Sequence, residues 1–168
     1  MQSSARLLRA LKEPGPQVTA RLHDVYGDDA DVVRARIELT RRVLEAFAAR
    51  HGPERPVRLF RAPARINLRG MHVDTHGGYL NLMTHQREVV IAAAPRDDGR
   101  CRAENIAHGV EPVEFAVDDW LGTPEFARDW LAFIDTPRVR RSVAEESPGW
   151  MRYIRGAALS AQIGRAHV

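Results

Sequence analysis

Apolar and polar positions along the first fifty residues alternate with a helical period. Ala5 to Lys12 is a short amphipathic run, and the Pro14-Gly15-Pro16 breaker closes it. Val18 to Tyr26 predicts two further turns ending at Gly27. The strongest pattern spans Asp31 to His51. Val33, Ile37, Thr40, Leu44, Phe47 and Ala48 recur at helical spacing, while Arg34, Arg41, Arg42 and Arg50 fall largely elsewhere. Asp28, Asp29 and Asp31 suit the positive end of that helix, and Gly52 followed by Pro53 suits its stop. A packing helix without chemistry accounts for all of this.

The period changes after Pro56. Val57 to Arg61 predicts a strand and Ile66 to Leu68 a second one. Glu88 to Ala94 predicts a third, nearly all apolar and so expected to be buried. Pro95 to Gly99 is a turn by composition, with Cys101 to Ile106 expected to pair back across it. Glu114 to Val117 is a shorter strand candidate. Pro124 to Ile134 and Trp150 to Ala161 predict two more helices. Helices followed by strands, then helices again, without alternating βαβ units, indicate an α+β fold class.

Composition narrows the function. The 168 residues are 44% apolar and 28% charged, enough to bury a core and too balanced for wholesale disorder. No apolar stretch approaches the roughly eighteen residues a membrane span needs, and Leu7 to Ala10 is too short and too charged for a secretory leader. Cys101 stands alone, so a reduced, cytoplasmic protein is expected. The net charge of +3 does not by itself argue for nucleic acid. Lys12 is the only lysine, and the arginines are interspersed with carboxylates rather than gathered into a block that would track phosphates. Neither a nucleic-acid nor a membrane partner is expected.

One segment carries candidate chemistry: Arg61-Ala-Pro-Ala-Arg65-Ile-Asn67-Leu-Arg-Gly70-Met-His72-Val-Asp74-Thr-His-Gly77-Gly78-Tyr79. A strand ends in glycine, polar side chains follow, and a glycine pair lets the chain turn close to a small ligand. On an extended backbone His72 and Asp74, two apart, project to one face. An imidazole, a carboxylate and a guanidinium together supply the donors and acceptors that sugar hydroxyls require.

This segment resembles the sugar-binding signature of galactokinases, in the GHMP small-molecule kinase family, whose pattern is G-R-V/I-N-L-I/L-G-E-H-x-D-x-x-G-G. The likeness is close from Arg61 to Met83 and looser over Val57 to Gln162, with Arg65, Asn67, Gly70, His72, Asp74, Gly77 and Gly78 all matching. It implies a GHMP kinase N-terminal domain, of the kind seen in domain 2 of ribosomal protein S5, over residues 56–162. Residues 1–55 would be a helical N-terminal extension. It implies ATP as phosphoryl donor, with Mg²⁺ as its partner, and a monosaccharide as acceptor. By the same resemblance Arg65 is the catalytic arginine beside the attacking hydroxyl, His72 and Asp74 hold the sugar, and Trp150 and Tyr153 match a W-x-x-Y segment near the adenine.

Two departures stand out. Ala64 replaces the first motif glycine, and Met71 replaces the glutamate before the histidine. Methionine cannot accept the hydrogen bond that carboxylate takes from a hydroxyl at the far end of the sugar. An unpaired buried hydroxyl costs about 1–3 kcal/mol, so an arabinose- or fucose-like substrate is expected. The family's phosphate loop, P-x-G-x-G-L-S-S-S, is not found in these residues. ATP turnover by the 168 residues alone is therefore not expected. Ile163 to Val168 is what a sequencing adapter read in frame would encode, so the natural chain is expected to continue past Gln162.

Rival readings remain open. Met71 leaves room for a sugar-sensing protein that binds without phosphorylating, and an S5-like fold could also serve RNA. His72, Asp74 and His76 could be metal ligands, but the sugar-kinase pattern already accounts for two of them. His23, His51, His85 and His108 are expected at surfaces or in local hydrogen bonds, Arg140-Arg141 on a solvated face, and Trp120 and Trp130 in the core. Cys101 has no adjacent base and is expected to be a small strand residue.

Overall fold

A computed structural model of the chain describes residues 1–70, 72, 76–106, 111–121, 129–145 and 149–166. The chain divides into two compact units, Met1–Ala94 and Pro95–Val168.

In the first unit the three expected helices form: α1 (Ser4–Lys12), α2 (Pro16–Tyr26) and α3 (Ala30–His51). Local chemistry explains their ends. The Ser3 hydroxyl accepts from the Arg6 amide at 3.3 Å, Pro16 opens α2, and the Asp29 carboxylate accepts from the amides of Asp31 and Val32 at 2.9 and 3.2 Å. Gly27 and Gly52, both in the left-handed region, end α2 and α3. Leu44 of α3 is fully buried. The buried Ser4 hydroxyl donates to the Pro53 carbonyl at 2.8 Å and ties the start of α1 to the end of α3.

The sheet of this unit is three-stranded, in the order β1 (Gln2–Ser3), β2 (Pro56–Arg69), β3 (Asn81–Ala93), and antiparallel throughout. The two separate strands expected over Val57–Arg61 and Ile66–Leu68 are one strand. Pro63, which has no N–H to donate, sits at a register shift rather than a break. The apolar run from Glu88 is not uniformly buried: Val89 is 60% and Ile91 48% exposed. A ribbon has two faces, and helices cover only one of them. The pleat puts Phe60 opposite Ile91, Ala62 opposite Val89 and Ile66 opposite Met83 in the outer row.

In the second unit β4 (Arg100–Ala103) pairs with β5 (Val113–Ala116). The expected return of Cys101–Ile106 across the Pro95–Gly99 turn does not form. Arg96 bridges Asp98 and Glu114, and Arg100 also pairs with Glu114, so charge ties the turn and β4 to β5. The core of this unit gathers Trp120, Phe133 and Leu159, with Trp130 packed against it. The Trp120 and Phe133 rings meet edge to face at 6.1 Å. The helices are α4 (Asp118–Leu121), α5 (Trp130–Ile134), α6 (Pro137–Glu145) and α7 (Met151–Ala166). Of the helix expected over Pro124–Ile134, the stretch 122–128 lies outside the described residues. Helix α6 was not expected from the pattern, because it has few apolar side chains, Val139 and Val143 standing among arginines; Thr136, whose hydroxyl accepts from the Val139 amide at 3.4 Å, and Pro137 start it. No helix among the described residues is long and apolar enough to cross a membrane.

Candidate functional site

Arg65 lies in β2 opposite Thr84, two residues past the register shift. At that shift Pro63 faces Glu88 and Ala64 faces His85, so Gln86 and Arg87 are extra residues on β3. This bulge twists the hairpin where Arg65 leaves it. Arg65 is exposed and lines an open cavity of about 520 Å³ together with Arg36 of α3, His85 and Arg87.

Past β2 the chain turns rather than extends. Gly70 and Gly77 adopt φ of 88° and 75°, angles that only glycine takes without cost. His72 has φ of 66°, the only positive value at a non-glycine position among the described residues. His72 itself is therefore not extended, and the expectation that His72 and Asp74 share a face falls on Asp74, outside the described residues. Met71 and Asp74 themselves lie outside the described residues. His76 Nδ1 approaches the His72 carbonyl at 3.4 Å, and Gly78 is half-buried. A backbone held in sparsely populated angles at a glycine-rich turn is a common mark of a ligand site.

A cluster that the sequence did not announce supports this hairpin. The Glu88 side chain is fully buried. It accepts from the Tyr26 hydroxyl at 2.8 Å and pairs with Arg61 Nε, while the Arg61 guanidinium lies 4.9 Å from the Tyr26 ring centre. Burial, then the hydrogen bond and charge of Glu88, push the Tyr26 phenol above its ordinary value, with Arg61 opposing. A lone carboxylate heading an apolar strand was the available signal, and it marks where β3 meets α2.

In the second unit Trp150 is half-buried, with its indole nitrogen buried and without a hydrogen-bond partner among the described residues. Tyr153, one turn on, is 77% exposed. Cys101 is half-buried on β4, and burial pushes its thiol up, away from nucleophilic use. His85 meets a local hydrogen bond as expected, its Nδ1 accepting from the Arg87 amide at 3.0 Å. Among the described residues no three His, Cys, Asp or Glu side chains stand together to hold a metal.

A bulged hairpin bearing Arg65 thus leads into a turn in which Gly70, His72 and Gly77 have positive φ. Residues 45–95, which contain it, match the family model described as the galactokinase galactose-binding signature. The chain is 31% identical over 103 residues to the galactokinase of Chloroflexus aurantiacus, covering 61% of this chain and 20% of that protein. The galactokinase of Streptomyces coelicolor is 33% identical over 89 residues, 53% of this chain and 22% of that protein. That of Clostridium perfringens strain 13 is 38% identical over 65 residues, 38% of this chain and 17% of that protein. The chain thus spans about a fifth of the length of the curated relatives it matches. No solved structure matches it. Over this region the chain is similar to galactokinases.

Proposed function

We propose that this chain is the sugar-binding part of an ATP-dependent, galactokinase-like sugar kinase. It would carry γ-phosphoryl transfer to a monosaccharide hydroxyl, the anomeric one. The supporting observation is that the galactose-binding signature falls on the hairpin and left-handed turn that hold Arg65, Gly70, His72 and Gly77. In this reading the sugar oxygen would form its bond to the γ-phosphorus as the bridging P–O bond of ATP breaks, releasing ADP and giving the hydroxyl proton up to solvent. The fixed charge of Arg65 steadies the negative charge that develops. His72 and Asp74 grip ring hydroxyls, and Gly77 and Gly78 let the backbone come close. Trp150 and Tyr153 offer aromatic surface for the adenine. Residues 56–162 would belong to a GHMP kinase N-terminal domain preceded by the helical stretch 1–55. The described residues do not gather a carboxylate or imidazole set fit for Mg²⁺, so no step is assigned to that ion here.

Met71 in place of the signature glutamate favours a sugar without the C6 hydroxyl. The test compares galactose with its 6-deoxy analogue as acceptors for the whole kinase, and Arg65→Ala with the parent. The 6-deoxy sugar is expected to be preferred, and Arg65→Ala to lower kcat by about a hundredfold or more. A clear galactose preference sinks the substrate assignment, and near-normal kcat in Arg65→Ala removes that residue from the reaction. Met71 also favours a second reading, a sugar sensor on the same scaffold, which would bind the sugar and consume no ATP.

A further inference from the structure

The sugar-kinase reading gives the helical stretch 1–55 no task, yet α2 reaches the signature hairpin at one point. No residue of α2 is buried, and the helix lies against α3, which in turn packs on β3. Among the described residues the hydrogen bond from α2 to the sheet is that of the Tyr26 hydroxyl to Glu88, at 2.8 Å. Tyr26 is the last residue of α2, and Gly27, in the left-handed region, ends the helix directly after it. The helix stop therefore fixes where the phenol stands. The carboxylate it meets has a fully buried side chain, an arrangement that costs free energy unless every oxygen is bonded. Both oxygens are: one takes the Tyr26 hydroxyl and the other Arg61 Nε.

This bond falls at the weakest point of the hairpin. Glu88 faces Pro63 in the last pair before β3 takes in Gln86 and Arg87 as extra residues, and Ala64 with His85 is the first pair after them. Pro63 has no N–H to give the ladder, so the backbone ties the two halves of the hairpin together least at this junction. Side chains tie it instead. Arg61 and Arg65 share one face of β2, two residues either side of Pro63, and Glu88 holds Arg61 while α2 holds Glu88. A change of register or twist at the bulge is carried straight to Arg65, and a displacement of about 1 Å at a reacting centre can cost about a hundredfold in rate. We propose that Tyr26, Glu88 and Arg61 are positioning residues for Arg65: α2 pins the bulge of the signature hairpin, and the pin holds the Arg65 guanidinium where phosphoryl transfer needs it. This role rests on the kinase reading and gives the N-terminal helices a part in that chemistry without touching the sugar.

Two measurements test it. In the whole kinase, Tyr26→Phe keeps the ring beside Arg61 and removes only the hydroxyl. Arg65 acts on charge that develops during transfer, so kcat is expected to fall about tenfold while KM for the sugar stays within about twofold. In an Arg65→Ala background the same substitution should cost nothing further, whereas a merely structural defect would multiply with it. Glu88→Gln is expected to behave alike, with circular dichroism at the assay temperature confirming that each variant is folded. Unchanged kcat in both variants, or effects that multiply with that of Arg65→Ala, overturns the positioning role. In the 168-residue chain, amide hydrogen exchange reads the pin without any activity. Tyr26→Phe should speed exchange about tenfold at Arg65 to Asn67 and by less in α1. Equal speeding in both places, or none, also overturns it. A parent kinase that transfers no phosphoryl group to a sugar counts against the kinase reading alone, and the exchange result still decides whether α2 pins the bulge.

Discussion

Replacing Glu88 by glutamine tests whether a buried carboxylate locks α2 to the signature hairpin. The substitution keeps the shape of the side chain and removes its charge. Two interactions weaken. The Tyr26 hydroxyl, 2.8 Å from Glu88, would bond a neutral oxygen instead of an anionic one, a loss of about 1 kcal/mol. The Arg61 pair is lost as an ion pair, and because the Arg61 side chain is 36% exposed, water replaces part of it, leaving about 1 kcal/mol more. The expected destabilisation is therefore about 2 kcal/mol, read as a lower urea midpoint by circular dichroism at an unchanged slope.

A second readout separates this account from generic damage. The Tyr26 phenol is raised by burial and by Glu88, so the fold favours its neutral form. That stabilisation is complete below the ordinary value near 10 and is lost as pH rises through the folded value. Glu88→Gln should bring the alkaline loss to lower pH, with Tyr26→Phe assigning the absorbance change to this residue. An unchanged urea midpoint together with an unmoved Tyr26 titration would refute the clamp.

Two further outcomes are expected. Gly77→Ala introduces a methyl group that meets no atom within 4 Å among the described residues, so the expected effect is the cost of φ +75°, about 1–2 kcal/mol. Galactose affinity measured by calorimetry should fall about tenfold, and unchanged affinity would mean the turn is not needed for binding. The Arg96 side-chain hydrogen bond, aided by the Arg100 amide, holds the Asp98 carboxyl down to about 2. Its contribution to stability is present above the ordinary 3.8 and disappears as pH falls toward 2. In carboxyl NMR titrations Arg96→Gln should return Asp98 toward the ordinary value, and a midpoint that stays near 2 would contradict the pairing.

Much of the first unit was legible residue by residue. The spacing of Val33, Ile37, Leu44 and Phe47 predicted α3, Asp29 and Gly52 bounded it and Gly27 ended α2, because helix hydrogen bonds and caps are local. The glycines at 70 and 77 were legible for the same reason: a left-handed angle is a property of a single residue. The continuity of β2 was not, since Pro63 looks like a stop and only its pairing opposite Glu88 makes it a bulge. The exposed row of Phe60, Val89 and Ile91 was missed because apolar content alone does not say how many faces of a ribbon are covered.

What the amino acids determined unaided was the set of short-range elements, together with a spaced signature dense enough to point to sugar chemistry. Tertiary structure alone decided which distant charges meet. Tyr26 and Glu88 are 62 positions apart, and Arg36, Arg65 and Arg87 lie on three different elements. No local pattern encodes such meetings. They arise when α2 and α3 pack on a hairpin whose bulge, with Gln86 and Arg87 as extra residues on β3, sets the register.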